Sequence, residues 1–194
     1  MSQTDIDVFV DSVDYFNTLT PEGVTAAVAR GISVNERHSS DGVTALHNAV
    51  LFSRHELVVA LLAAGAHADV RNRHGTTSMW AGAAYGTADI LQLLIDSEGS
   101  VNEADSDGET PLIALVRNHF GDAAARLQVL LVCNGLDLDA KYRGRTAEEW
   151  AVYIRCDQLA SAIAQQRARR ERWSALRAAW IGVAVTRTLA ASYI

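Results

Sequence analysis

The chain has 194 residues, of which 49% are hydrophobic and 21% are charged. This composition is typical of one soluble domain or one repeat array, and it argues against a disordered, collagen-like or membrane-spanning chain. Of the net charge of −6, residues 167–194 contribute +5 from six arginines and one glutamate, which leaves −11 for residues 1–166. An acidic body is a poor binder of nucleic acid, because proteins bind the phosphates of nucleic acids through lysine and arginine.

Two helices are predicted in residues 1–40. Apolar residues from Ile6 to Phe16 recur at helical spacing, with aspartates off the apolar stripe. A second helix is predicted to open at Thr20-Pro21, because threonine caps helix N-termini and proline is tolerated at the first helical position. The acidic start of the chain resembles neither a secretory nor a mitochondrial leader, so we expect a cytoplasmic protein.

A motif then recurs in three copies that begin 33 residues apart. It reads DGVTALH from Asp41, HGTTSMW from His74 and DGETPLI from Asp107, and a weaker copy, RGRTA, begins at Arg143. Each copy continues with an alanine-rich stretch, a break, a leucine-rich stretch and a glycine-containing loop. Because apolar residues recur at three and four rather than alternating, each copy is predicted to form two short helices.

The threonine of each motif stands where its hydroxyl can cap the first helix of the copy. Leucine pairs in the second helices are predicted to fill the core, and one copy cannot bury that face alone. The capping threonines are Thr44, Thr77, Thr110 and Thr146, and the leucine pairs are Leu61-Leu62, Leu93-Leu94 and Leu130-Leu131.

These features resemble the ankyrin repeat, whose signature DGxTPLHxAAxxGHxxxVxxLLxxGAxVN is matched best by residues 41–72. The resemblance covers about residues 20–166 and implies four to five repeats in an all-α solenoid of helix-turn-helix units with hairpin loops. The units it implies are a degenerate N-terminal cap at 1–40, repeats at 41–73, 74–106 and 107–142, and a C-terminal cap at 143–166.

The sequence departs from the signature in two places. His47 matches its histidine, but Trp80 and Ile113 replace that residue in the next two copies, so the hydrogen bond from this side chain to the next loop is predicted to be missing there. Residues 118–123 are predicted to lengthen the turn between the helices of the third copy by about four residues relative to the first. The inserted residues either lengthen the loop without further consequence or form a contact.

Residues 167–194 are predicted to form a basic amphipathic helical tail. Its apolar stripe consists of Trp173, Leu176, Trp180 and Val183. Arg177 and Arg187 argue against a membrane span, because an arginine near the bilayer centre is costly. Three alternatives stay open: the tail folds back over the last repeat, docks on a partner protein, or contacts a membrane surface.

We find no motif of catalysis, and we expect no cofactor, metal ion or small-molecule substrate. The histidines lack ligand spacing, and Cys133 and Cys156 fit two buried or half-buried thiols in a reducing compartment. The chain is therefore expected not to be an enzyme.

In the ankyrin family, the partner usually lies along the hairpin tips and the exposed side of the first helices. The resemblance thus implies a protein-binding surface at these positions: Val43, Leu51, Phe52, Arg73, His74, Thr76, Tyr85, Asp107, Glu109, Arg117, Asn118, Tyr142, Arg143, Arg145 and Tyr153. Exposed aromatic rings are typical of interface hot spots, although packing against the tail or the caps is the alternative.

The predicted function is a non-catalytic adaptor or scaffold that binds one or more proteins through the concave face. The alternative is a structural subunit of a larger assembly, anchored by the C-terminal helix.

Overall fold

The computed structural model describes the backbone of residues 19–191 and the side chains of residues 19–178. Within these limits the regular structure is helical, which confirms the predicted all-α class. The helices are α1 (Pro21–Ala29), α2 (Ala45–Leu51), α3 (His55–Ala63), α4 (Ser78–Tyr85), α5 (Ala88–Asp96), α6 (Pro111–Arg117), α7 (Ala123–Leu131), α8 (Ala147–Tyr153) and α9 (Asp157–Ala191). The helix predicted through Ile6–Phe16 lies outside the described residues.

The helices stack in two rows. The inner row consists of α2, α4, α6 and α8, each packed on the next, and the outer row consists of α1, α3, α5, α7 and α9 in the same order. Each inner helix also packs on the outer helix that follows it in the chain. Long loops carry the chain from one outer helix to the next inner helix, so the hairpins at the ends of these loops lie beside the inner row.

The threonine caps are confirmed. The hydroxyl oxygens of Thr44, Thr77, Thr110 and Thr146 each accept a hydrogen bond from the backbone N–H three residues on, at 3.1 to 3.5 Å. Thr146 also donates its backbone N–H to the Glu149 carboxylate at 2.8 Å, and this bond lowers the pKa of Glu149. Every inner helix therefore begins at a fixed point relative to its hairpin.

Only one leucine of each of the first two predicted core pairs is fully buried. Leu61 and Leu94 have essentially no exposed surface, whereas Leu62 and Leu93 are half-buried against the core. Successive residues on a helix point about 100° apart, so two neighbours cannot both face the inner row. Leu130 and Leu131 are both buried, because α9 covers the second of them.

The turn between α6 and α7 comprises five residues, 118–122, against three, 52–54, between α2 and α3. The turn is thus two residues longer, not about four as expected, because α7 already begins at Ala123. This turn is held by Arg126, whose residue surface is only 2% exposed. Its guanidinium donates to the carbonyl oxygens of Ala83 and Phe120, each at 2.6 Å, and to Asp122 Oδ1 at 3.0 Å.

The second helix of the last unit and the basic tail form a single helix, α9. Leu159 and Ile163 are buried in the core near its start, and residues 171–178 are all exposed. The backbone does not turn back at residue 167 but stays helical to Ala191, so the alternative in which the tail folds back over the last repeat is wrong. Among the described residues, no helix is both long and apolar enough to cross a bilayer.

Between its buried start and its exposed end, α9 is tied to the preceding loop. Gln166 Nε2 donates to the carbonyl of Leu131 at 2.6 Å, and Arg167 Nη2 donates to the carbonyl of Leu138 at 3.0 Å. Arg170 donates to the carbonyls of Leu136 and Cys133. These side chains satisfy backbone carbonyls in the last turn of α7 and in the loop that follows it.

Candidate protein-binding surface

The sequence-predicted binding residues lie on one face, formed by the exposed side of the inner row and the adjoining hairpins. We call it the hairpin face. Nine of the fifteen are exposed: Leu51, Phe52, Arg73, His74, Tyr85, Asp107, Arg143, Arg145 and Tyr153. Val43, Thr76, Arg117 and Asn118 are half-buried, and Glu109 and Tyr142 are buried.

Tyr142 is only 5% exposed, so its prediction as an exposed ring is wrong. It precedes the hairpin tip, where the sequence suggests exposure, but its ring lies 6.1 Å from that of Trp150 and below the side chain of Arg117. Glu109, also predicted at the surface, is buried, and its carboxylate forms an ion pair with Arg117. Burial raises the pKa of Glu109, and the contact with Arg117 opposes that rise.

At the N-terminal half of the hairpin face, a groove of about 300 Å³ lies between α2 and α4. Its apolar lining includes Val43, Leu51, Trp80 and Tyr85, and its polar lining includes His47. The rings of Trp80 and Tyr85 meet edge to face, with centroids 6.1 Å apart. The indole N–H of Trp80 is buried and has no hydrogen-bond partner among the described residues, as predicted where tryptophan replaces the histidine of the signature.

His47 links two units across this groove. Its Nε2 lies 3.1 Å from the carbonyl oxygen of Thr76 in the next hairpin, and its Nδ1 lies 2.9 Å from Thr44 Oγ1. This bond to the next loop is the one that the signature predicts. Burial lowers the pKa of His47 below its ordinary value of 6.5, although the bond to Thr76 opposes the shift.

We expect the stability of the array to fall as the pH drops below about 6.5. Because the folded state resists protonation of His47, the unfolded state binds more protons below that pH, and this difference favours unfolding. His47→Gln should lose about 1 to 2 kcal/mol at neutral pH through the lost bonds, and its loss relative to the wild type should shrink in acid. Urea unfolding at a series of pH values measures both effects.

The matched control is His55→Gln, which removes an exposed histidine at the start of α3. That variant should keep the pH profile of the wild type. A His47→Gln variant with the same dependence on pH as the wild type would show that another group causes it.

At the C-terminal half of the hairpin face, three arginines lie over three aromatic rings. The Cζ atom of Arg117 is 4.9 Å from the ring centroid of Tyr142 and 5.3 Å from that of Trp150. The other contacts join Arg143 to Tyr142 at 5.1 Å, Arg145 to Trp150 at 5.3 Å and Arg145 to Tyr153 at 4.6 Å. All five distances are within the range of cation–π attraction. We call these six residues the arginine–aromatic cluster.

Trp150 is the member of this cluster that the sequence did not predict. It lies on α8, buried beneath the arginines, and its indole N–H donates to the carbonyl oxygen of Tyr142 at 3.0 Å. Tyr153, one turn further on, is 63% exposed and meets Trp150 edge to face, with centroids 5.5 Å apart. The spacing of three residues puts both rings on one side of α8, which is the signal that sequence reasoning missed.

A tight hairpin presents two of the arginines. Tyr142 and Arg145 exchange both backbone hydrogen bonds, at 3.0 and 3.1 Å. The two residues between them have positive φ angles, 50° at Arg143 and 78° at Gly144, as in type I′ turns. Glycine adopts positive φ angles readily, whereas the same backbone conformation is strained at Arg143.

Residues 19–191 contain no group of histidine, cysteine, aspartate or glutamate side chains arranged to hold a metal ion. Cys133 and Cys156 are unpaired and half-buried, as predicted. Burial raises the pKa of the Cys133 thiol, which makes it a weaker nucleophile at neutral pH.

A family model of ankyrin repeats in three copies matches residues 16–105. The chain is 34% identical over 130 residues, 65% of its length, to the glycerophosphocholine phosphodiesterase gde1 of Schizosaccharomyces pombe, and the match covers 11% of that protein. It is 31% identical over 50% of its length to the neurogenic locus Notch protein of Drosophila melanogaster, of which the match covers 4%. It is 33% identical over 56% of its length to the nuclear factor NF-kappa-B p105 subunit of Gallus gallus, of which the match covers 11%. The chain thus spans a small share of each of these relatives.

Proposed function

Since this chain is an ankyrin-repeat protein, we propose that it is a non-catalytic adaptor that holds a partner protein on its hairpin face. The observation that carries the proposal is the set of large side chains left uncovered there. Phe52 is 59% exposed, and Leu51, Tyr85 and Tyr153 are also exposed on this face. Aromatic residues on a rigid surface beside an apolar groove are typical of hot spots in protein interfaces. Two unpaired thiols fit a cytoplasmic site of action.

We predict that Phe52→Ala combined with Tyr85→Ala lowers the recovery of specific partners about tenfold or more, while the melting temperature stays nearly unchanged. Truncating interface aromatics commonly costs at least 1 to 2 kcal/mol of binding free energy, and exposed rings contribute little to folding. The measurement is affinity purification on the full chain with quantitative mass spectrometry, together with a thermal melt of each variant.

The control pairs Val59→Ala with Val132→Ala, which removes exposed apolar side chains from the outer-row side. These changes should leave the same partners bound. A large fall in melting temperature in the aromatic variant would instead assign Phe52 and Tyr85 to the core. Equal recovery of every protein by all variants would contradict the use of this face.

The exposed end of α9 supports a second contact. Trp173 and Leu176 are exposed on it, three residues apart and therefore on one side of the helix. The predicted stripe continues to Trp180 and Val183, whose side chains lie outside the described part. A partner on this stripe and another on the hairpin face would make the chain a bridge. The alternative is a structural subunit that α9 anchors in a larger assembly.

Trp173→Ala with Leu176→Ala in the full chain separates these two functions. A bridge should lose one group of partners and keep those that depend on Phe52 and Tyr85. An anchored structural subunit should lose every partner at once. Arg169→Gln with Arg172→Gln, on the same helix, controls for a general effect of altering its surface.

A further inference from the structure

We propose that the hairpin face holds an extended acidic segment of a partner protein, with an apolar side chain in the groove and a carboxylate on Arg143 and Arg145. This inference rests on the proposed function and names the chemistry of the partner. It starts from an imbalance in the arginine–aromatic cluster. Arg117 is neutralised by Glu109, whereas Arg143 and Arg145 are exposed and form no ion pair within the described part of the chain.

The rings orient these guanidiniums without using their hydrogen-bond donors. A guanidinium lying over an aromatic ring attracts the ring through its flat face, and its N–H groups point outward in the plane. Such N–H groups match the two oxygens of a carboxylate and form paired, charge-assisted bonds. The Cζ atoms of Arg143 and Arg145 lie 4.6 to 5.3 Å from the ring centroids of Tyr142, Trp150 and Tyr153. Within the described part of the chain neither guanidinium donates a hydrogen bond, so their donors are available to a ligand.

Charge favours an acidic protein segment over a nucleic acid. The arginines are a local positive charge on a body whose residues 1–166 carry a net charge of −11. A nucleic acid presents phosphates along its whole length and would be repelled by that body, whereas a peptide can place one or two carboxylates at the cluster alone. The two acids that interact electrostatically with these arginines already have closer partners, since Glu109 forms an ion pair with Arg117 and Glu149 accepts the backbone N–H of Thr146.

The backbone of the hairpin tip is consistent with selection for binding. Asparagine and glycine are the residues that such a two-residue turn favours. Arginine occupies the first central position at a φ of 50°, and strain of this kind is concentrated at functional sites. An arginine there places its side chain over Tyr142, where it adds a donor to the cluster.

The distance between the groove and the arginine–aromatic cluster sets the separation of the apolar side chain and the carboxylate in the ligand. The groove lies between α2 and α4, and the cluster lies on α6, α8 and the hairpin before α8, two helices further along the inner row. Packed helices are about 8 to 10 Å apart, which gives roughly 16 to 20 Å in all. An extended chain rises about 3.3 Å per residue, so the apolar side chain and the carboxylate should be separated by roughly five or six residues.

The test is a selection of random 12-residue peptides displayed on phage against the full chain. We expect enriched peptides to carry an aspartate or glutamate roughly five or six residues from a large apolar residue. Synthetic copies should bind at least tenfold more weakly to the Arg143→Gln, Arg145→Gln double variant. The control variant, Arg30→Gln with Arg169→Gln, removes the same charge from exposed positions elsewhere and should bind nearly as the wild type does.

A cycle of substitutions assigns the contact. Changing the acid of the peptide to its amide should weaken binding to the wild-type chain but have little further effect on the double variant, because the two groups interact directly. Arg145→Lys keeps the charge without the planar donor pair and should fall between the two. If the double variant melts at a lower temperature than the wild type, Arg145→Lys provides the test of the contact in its place.

Peptides that bind the groove without any acid, or that bind the double variant equally well, would overturn this inference and leave the proposed function standing. A single-stranded oligonucleotide that binds more tightly than the acidic peptides, through the same arginines, would overturn the choice of a protein ligand. A selection that enriches no peptide on the wild-type chain would count against the hairpin face as a binding surface, and against both proposals.

Discussion

Arg126→Met is expected to lower the free energy of unfolding by about 3 kcal/mol. A hydrogen bond from a charged donor contributes about 1.5 to 3 kcal/mol net, and a buried acceptor left without a partner costs about 1 to 3 kcal/mol. The side chain donates to the carbonyls of Ala83, in the last turn of α4, and Phe120, in the longer turn. Methionine fills much of the same volume but donates to neither. Urea unfolding monitored by circular dichroism at 222 nm measures the loss.

Arg126→Lys should restore part of this loss, since an ammonium can reach only some of the three acceptors. Arg169→Met provides the matched control, because Arg169 is exposed on α9, and it should change stability by less than about 0.5 kcal/mol. If Arg126→Met were as stable as the wild type, the turn would not depend on this side chain. The insertion would then be tolerated loop length, the alternative left open by the sequence.

Removing residues 167–194 is expected to destabilise the array by about 2 kcal/mol, whereas removing residues 176–194 should leave it unchanged within about 0.5 kcal/mol. The longer deletion takes away Arg167 and Arg170, which donate to three carbonyls of the last loop. Arg167 also forms ion pairs with Asp139 and Glu148, but these are partly exposed and add little. The sequence had predicted that the C-terminal cap ends at residue 166.

Thermal and urea unfolding of the two truncated chains decide the matter. The double substitution Arg167→Gln, Arg170→Gln in the full chain should reproduce most of the loss of stability. It thereby distinguishes the loss of these side-chain hydrogen bonds from the loss of the helix itself. Equal stability of the two truncated chains would mean that the cap ends at residue 166, as first predicted. A chain lacking residues 176–194 that unfolds or aggregates would show that the exposed end of α9 belongs to the core.

The fold could be predicted because its determinants are local and repeated. A threonine cap, a proline at the first helical position and apolar residues at helical spacing act within a few residues of one another, as at Thr110 and Pro111. Four copies of that pattern also make stacking necessary, since each copy buries its apolar side only against a neighbour.

The errors and omissions concern side chains whose surroundings come from other units. Arg126 was not predicted to have a structural role, because arginine is ordinarily found on the solvent side; it points inward because the longer turn and α4 supply its acceptors. Tyr142 precedes an exposed hairpin tip, yet α6 provides the arginine above it and α8 the ring beside it. Such burial depends on contacts between units, which the spacing of residues within one repeat does not specify.

The continuity of α9 has a mechanical consequence. A flexible linker would let two bound proteins move independently, but a helix that is anchored in the core at Leu159 and Ile163 transmits the orientation of the array to its far end. From Glu171 to Ala191 the helix extends roughly 30 Å, at about 1.5 Å per residue. A protein held on the stripe beyond Glu171 would therefore keep a set distance and direction from one held at the hairpins. Shortening α9 by two residues should rotate the distal partner by roughly 200° about the helix axis.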